Sequence, residues 1–372
     1  MKPLYTGHNY PAGFWREGDA RKTRDSGRYC MRLNLVAALA AATVSFAATH
    51  VHAANLTGAG GTAIYPVLSK WADQYQKETG DSVNYQAIGS GGGIKQIEEK
   101  TVLFANTDMP LKPEDVVKNN LVQFPQVIIS ITPVVHLAGI KPGEIVLDGP
   151  TLANIYLGKI KEWDDAALKK LNPKVKLPHQ AITTVHRSDG SGTTFNFTNY
   201  LSKVSDEWKK QVGDGTSVNW PNGVGGKGNP GVASYVQQVD GAIGYVEYAY
   251  VIENKLIYTD MVNKAGKALA PTMGAFQAAA ANADFTKVKD FYLILTDQPG
   301  DKSWPITAAT YMLLRKDSPP DQNQLALKFL DWCLKKGQPQ AKALDYVPLP
   351  DDVIKQIEAH WAKELNWKTA SK

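Results

Sequence analysis

From residue 54 onward the apolar positions fall into short runs of two alternating kinds. In "YPVLSKWADQYQKETG", Val67, Leu68, Trp71 and Tyr75 recur at the spacing of one helical face, and Gly80 closes the run. "SVNYQAIG" then alternates residue by residue, the period of a half-buried strand. From Val127 to Ile140, "VIISITPVVHLAGI" is a nearly continuous β-branched run, which predicts a strand covered on both faces in a parallel sheet. Helical spacing returns in "TLANIYLGKIKEW" and in "NPGVASYVQQV", the second followed by the strand-like "AIGYVEYAYV". "WPITAATYMLLRKD", from Trp304, predicts another buried strand, and "DQNQLALKFLDWCLKKG" an amphipathic helix closed by Gly337. This alternation predicts an α/β layered fold. A chain of 372 residues exceeds the roughly 250–300 at which one hydrophobic core stops growing, so two lobes are expected. The long apolar strands near 127–140 and 304–314 are the natural crossing points between them.

The N-terminal part needs a separate account. "MRLNLVAALAAATVSFAATHVHA", from Met31, has a positive start at Arg32, an apolar alanine-rich middle, and small residues Val51 and Ala53 at the −3 and −1 positions. It predicts a secretory signal peptide over 31–53, cut after Ala53. Residues 1–30 carry neither a helical nor a strand period and are read as a non-native or disordered extension. Setting residues 1–53 aside changes the charge. The whole chain is +5, but residues 54–372 hold 34 basic and 33 acidic side chains, so the remainder is close to neutral. Without a basic run, nothing in the sequence calls for nucleic acid as a partner. Only Cys30 and Cys333 occur, and cleavage would remove the first, which excludes an intramolecular disulfide and a thiolate metal site.

Chemistry concentrates in four glycine-rich stretches: "TGAGGT" (57–62), "IGSGGG" (88–93), "SDGSGTT" (188–194) and "GVGGKGNPG" (223–231). The first three each precede a helical pattern. Glycine admits close backbone approach, and a helix start offers unpaired N–H groups, so such loops can hold an anion. Enzymatic readings find no pattern. Neither "GSGGGIK" nor "GGKGN" ends as a nucleotide-binding loop must, and the seven histidines contain no zinc motif. A hydrolase elbow needs glycines two positions either side of its serine; Ser191 has Asp189 and Thr193 there, and Ser90 has Ile88 before it. A binding reading fits better. Arg187 offers a planar fork of donors, Asp189 can brace it, and Ser191, Gly192 and Thr193 would add hydroxyls and N–H groups. Donors alone cannot tell phosphate from sulfate. An acceptor can, because phosphate keeps a proton at neutral pH and sulfate does not; Asp108 in "ANTDMPL" is a candidate.

Together, "LTGAGGT", "KWADQYQKETGDSVNYQAIGSGGGIKQI", "VLDGPTLANIYLGKIKEWDD", "HRSDGSGTTFNFTNYL", "WPNGVGGKGNPGVASYVQQVDGAIGYVEYAYV", "WPIT" and "LDYVPLPDDVI" resemble the periplasmic phosphate-binding proteins of phosphate ABC importers. The resemblance spans residues 55–365. It implies a two-lobed periplasmic binding protein fold (type II) with two hinge crossovers and the ligand in the interlobe cleft. Lobe I would comprise 54–129 and 306–372, and lobe II 130–305. It further implies that Thr62, the Ala63 N–H and Ser90 bind from the first two loops, that Asp108 accepts the phosphate proton, and that Arg187, paired with Asp189, acts with Ser191, Gly192 and Thr193. The function implied is binding of inorganic phosphate in the periplasm and delivery to the permease subunits of an importer, as a monomer, without cofactor or catalysis. Two departures stand out: Ala63 where the family commonly has Phe, and "FANTD" in place of the more usual Phe-Gly-Ala-Ser-Asp, which puts Asn106 and Thr107 beside the acceptor. A site for another oxyanion, sulfate or molybdate, and a phosphatase using Ser191 are the competing readings.

Overall fold

A computed structural model describes residues 53–368. The expected extension (1–30) and the leader (31–53), save its last residue, lie outside the described residues. No helix among the described residues is long and apolar enough to cross a membrane.

Among the described residues twelve strands alternate with helices. They are β1 (Asn55–Gly60), β2 (Ser82–Ala87), β3 (Phe104–Thr107), β4 (Leu121–Val135), β5 (Val146–Leu147), β6 (Thr183–Arg187), β7 (Val224–Gly226), β8 (Ala242–Glu247), β9 (Ile257–Tyr258), β10 (Asp260–Val262), β11 (Ala268–Leu269) and β12 (Thr307–Arg315). The main sheet runs β2-β1-β3-β12-β4-β8-β6-β7, with β9 also on β4; β11, β10 and β5 form a small second sheet. Two parallel groups, β2-β1-β3 and β8-β6-β7, stand at opposite ends, each with helices following its strands.

The centre of the sheet departs from expectation. β4 is fully buried along its 15 residues, as its apolar run requires, but its neighbours β12 and β8 are antiparallel to it, not parallel. Burial on both faces produces the same continuous apolar pattern whichever way the neighbours run. Residues Leu121–Ser130 of β4 pair with β12, and Ile131–Val135 pair with β8. One strand therefore belongs to both halves. A register shift at Thr310/Tyr311 skips Gln126, next to Pro125, which has no N–H to give to the ladder.

The first helix, Tyr65–Thr79, forms where the spacing predicted, with Pro66 in its first turn and Gly80 left-handed at its end (φ 84°). "AIGYVEYAYV" instead divides into β8 and a helix, Tyr248–Asn254, with the Glu247 carboxylate accepting the Ala249 N–H at the junction. Likewise "TLANIYLGKIKEW" is helical only within Gly149–Tyr156, because Gly158 turns the chain at φ 73°. The late helix covers Pro320–Lys335 and buries Cys333. It ends ahead of Gly337, whose carbonyl takes the Trp71 indole N–H at 2.7 Å and whose missing side chain leaves room for that ring.

Candidate functional site

Each glycine-rich stretch is a strand-to-helix turn. The first follows β1, and the others lead into helices Ser90–Glu98, Gly192–Val204 and Gly228–Gln238. All four turns converge. The Gly91 N–H donates to Gly190 O (2.9 Å), and Gly89, at φ 91°, lies so close to Asp189 that a β-carbon would sit 2.2 Å from its Oδ2. Only glycine permits that approach.

Arg187 ends β6 almost fully buried, with Nε 2.8 Å from Asp189 Oδ1 and Nη2 2.5 Å from Oδ2. Asp189 Oδ1 also accepts the Gly228 N–H. Burial raises the Asp189 pKa, but the guanidinium bonds and charge outweigh it, leaving the carboxyl below the usual range. The remaining guanidinium nitrogen, Nη1, lies 3.4 Å from Thr193 Oγ1.

The hydroxyls in the site share a property that follows from counting lone pairs. Thr62 Oγ1 accepts from both the backbone and side-chain nitrogens of Asn229 (3.0 and 2.8 Å). Ser90 Oγ accepts from Asp108 N (3.2 Å) and Gly192 N (3.1 Å). Thr193 Oγ1 accepts from Arg187 Nη1 and Asn229 Nδ2. Each oxygen has two lone pairs, and in all three both are engaged, so the hydroxyl proton is what each can still offer. Ser191 caps helix Gly192–Val204 by accepting the Thr194 N–H (3.0 Å). Among the described residues no histidine is hydrogen-bonded to it: His186 Nδ1 lies by Arg187 O and its ring stacks on Trp220, while burial lowers its pKa.

Backbone donors are set in the same sense. Tyr85, Tyr250 and Tyr346 donate to the carbonyls of Gly61 (2.9 Å), Thr62 (2.8 Å) and Ala63 (2.6 Å). In a trans peptide the N–H points opposite the carbonyl, so holding Thr62 O outward turns the Ala63 N–H the other way. Among the described residues no backbone acceptor takes that N–H or the Thr193 N–H. Gly192 behaves differently from the sequence expectation of a direct donor, because its N–H is spent on Ser90.

Opposed to these donors is one carboxylate. Asp108 follows β3 and is 1% exposed. Its Oδ1 accepts from Thr310 Oγ1 at 2.8 Å. Burial raises its pKa to about 6, against the lowering effects of the Thr310 hydroxyl, the Arg187 charge and the Thr193 hydroxyl. The fold thus brings all nine expected residues into one cluster, eight of them buried and Asp189 partly exposed.

Several members of the cluster carried no sequence signal. Asn229 reaches Thr62 and Thr193 with its amide nitrogen while its Oδ1 accepts the Glu247 N–H. Glu247 is itself buried, which drives its pKa well above the ordinary range, and lies 3.1 Å from Tyr346 Oη. Asn229 sits in a glycine-rich stretch and could have been suspected there; Thr310, Tyr250, Glu247 and Tyr346 look like ordinary core or strand residues in the sequence.

Comparison with known proteins fits this geometry. The profile of the PBP superfamily domain matches residues 42–336. The chain is 53% identical over 312 residues to "Phosphate-binding protein PstS" of Xylella fastidiosa, covering 84% of this chain and 86% of that one. It is also 53% identical to the protein of the same name from Haemophilus influenzae, over 84% and 93% of the two chains. A crystal structure of a phosphate-binding protein from Stenotrophomonas maltophilia superposes with a TM-score of 0.59 at 18% identity, over 82% of this chain and 94% of that one. The fold is therefore the two-lobed α/β fold of the PBP superfamily. Within that superfamily the chain belongs to the PstS family of substrate-binding proteins.

Proposed function

We propose that this chain binds inorganic phosphate in the periplasm and delivers it to the permease subunits of an ABC importer, as a monomer and without catalysis. The observation that carries the reading is the division of polar roles: hydroxyls of Thr62, Ser90 and Thr193 that can only donate, facing one buried acceptor, Asp108. Such a set suits a tetrahedral oxyanion that still carries a proton. Ser191, with the Ala63 and Thr193 N–H groups, would add further donors. Gly192 would act through Ser90, whose proton its N–H helps to aim. Arg187 would supply the charge, held flat by Asp189. The names of the relatives agree with this reading.

Lobe I would comprise residues 54–129 and 306–372, and lobe II residues 130–305. The change of partner within β4 after Ser130 and the start of β12 at Thr307 support those limits. In this division Thr62, Ser90 and Asp108 belong to one lobe and Arg187, Asp189 and residues 191–193 to the other. Direct bonds such as Gly192 N–H to Ser90 would then form on closure.

Calorimetry of the purified protein tests the reading: phosphate should bind and sulfate should bind at least a hundredfold more weakly. Equal binding of both, or none of phosphate, overturns it. Release of phosphate from a simple ester, lost in Ser191→Ala, would favour an enzyme instead.

A further inference from the structure

Asn106 is one of the departures noted in "FANTD", and it is fully buried on β3. Its Nδ2 donates to Thr310 Oγ1 at 2.8 Å and to Tyr311 O at 3.0 Å. The Tyr311 carbonyl fixes the orientation of the amide, since a reversed group would set two oxygens against each other. With its lone pair receiving Asn106, the Thr310 hydroxyl has two acceptors in reach: Asp108 Oδ1 at 2.8 Å and Asn106 Oδ1 at 3.1 Å. The charged oxygen is nearer and binds more strongly. The result is a directed chain from the Asn106 amide through the Thr310 hydroxyl to the Asp108 carboxylate.

The space for this chain comes from Gly61. A β-carbon there would lie 2.6 Å from Asn106 Oδ1 and 3.2 Å from Asp108 Oδ1. The amide is held at three points, by Thr310 Oγ1, Tyr311 O and the Met312 sulfur, so it cannot swing aside freely.

We propose that Asn106 is a positioning residue for ligand selection: acting through Thr310, it holds Asp108 Oδ1 as a hydrogen-bond acceptor and leaves Oδ2 to meet the proton of the ligand. Gly61 is the matching vacancy in the first loop. This inference rests on the reading of Asp108 as the phosphate acceptor. Bonds in a chain strengthen one another, so loss of the Asn106 donor weakens the Thr310 bond and makes the ionised carboxylate less stable. This favours the protonated acid, which can serve sulfate as a donor. The other ionisable groups facing Asp108 are Arg187 from β6, Glu247 from the end of β8 and Tyr85 from β2, and none of them is altered by changes at 106 or 310.

The test is calorimetric titration of phosphate and sulfate across pH 4.5–8 on the purified full chain and its variants. Phosphate's own ionisation is common to all of them and cancels. Asn106→Ala, which installs the residue more usual in the family, should move the acid midpoint of phosphate binding upward by roughly half a pH unit or more. The phosphate-over-sulfate ratio at pH 7 should fall by roughly three- to tenfold. Gly61→Ala should shift the midpoint the same way. Thr310→Val should shift it further, and Asn106→Ala added to Thr310→Val should change nothing more. Thr310→Ser keeps the hydroxyl and should restore the wild-type midpoint. An unmoved midpoint in Asn106→Ala, or an independent effect of that change in the Thr310→Val background, overturns the inference while the phosphate reading stands. A wild-type protein without preference for phosphate overturns both.

Discussion

At the scale of single residues the site depends on a carboxylate placed where it is uncomfortable. Asp108 titrates near 6 in the folded protein against 3.8 ordinarily, chiefly because it is buried. Its burial therefore disfavours folding most above pH 6, by about 3 kcal/mol, and the penalty fades as pH falls through 6 toward 4. Asp108→Asn should raise the melting temperature of the ligand-free protein at pH 7.5 by roughly 4–5 °C and by only roughly 1–2 °C at pH 4.5, measured by calorimetric melting. The same variant should lower the phosphate-over-sulfate ratio by more than roughly a hundredfold, read from paired titrations. In the unaltered protein that ratio should narrow as pH drops from 7 to 5, because a protonated Asp108 no longer accepts. A constant ratio across this range would remove Asp108 from the proposed role.

At the scale of elements, helix starts carry most of the work. Ser191 holds the first turn of helix Gly192–Val204, so Ser191→Ala should lose about 1 kcal/mol of stability beyond any effect on binding, seen in urea unfolding without phosphate. Asn229, in the first turn of helix Gly228–Gln238, ties Thr62, Thr193 and the Glu247 backbone together. Asn229→Ala should weaken phosphate binding by roughly ten- to a hundredfold, and small-angle scattering should show a larger radius of gyration at equal phosphate concentration. An unchanged affinity would mean that the Thr62 hydroxyl needs no such support.

These elements also show what a sequence can and cannot disclose. Helix Tyr65–Thr79 was legible because its apolar spacing, proline and glycine all point the same way. Strand β4 was legible as buried, but the direction of its neighbours was not, since burial on two faces erases the alternation that would separate the cases. Arg187, Asp189 and Ser191 announce themselves by charge and glycines within one short stretch. Thr310 does not: its part in the site arises from a β12 register that sets it near Asp108, about two hundred positions away. Tyr250 and Tyr346 likewise matter only through the carbonyls they happen to meet.

At the scale of the molecule, β4 couples the unfolding of the two halves of the sheet while leaving them free to move about it. Because a single strand is hydrogen-bonded into both, opening either half must disturb the other. Native-state hydrogen exchange should therefore find the slowest amides of β3 and of β8 opening with the same free energy, and phosphate should slow both equally. Separate opening energies would show that the shared strand does not couple them.

β12 lies between β3 and β4 in space yet begins only at Thr307, after β4 to β11 in the chain. A chain released N-terminus first can assemble β6, β7 and β8 beside the end of β4 while the sheet around β1 still lacks its central strand. That sheet must wait for a strand that begins about two hundred residues after β3, and pairings so distant in sequence form slowly. The first half of the sheet is therefore the later of the two to be completed.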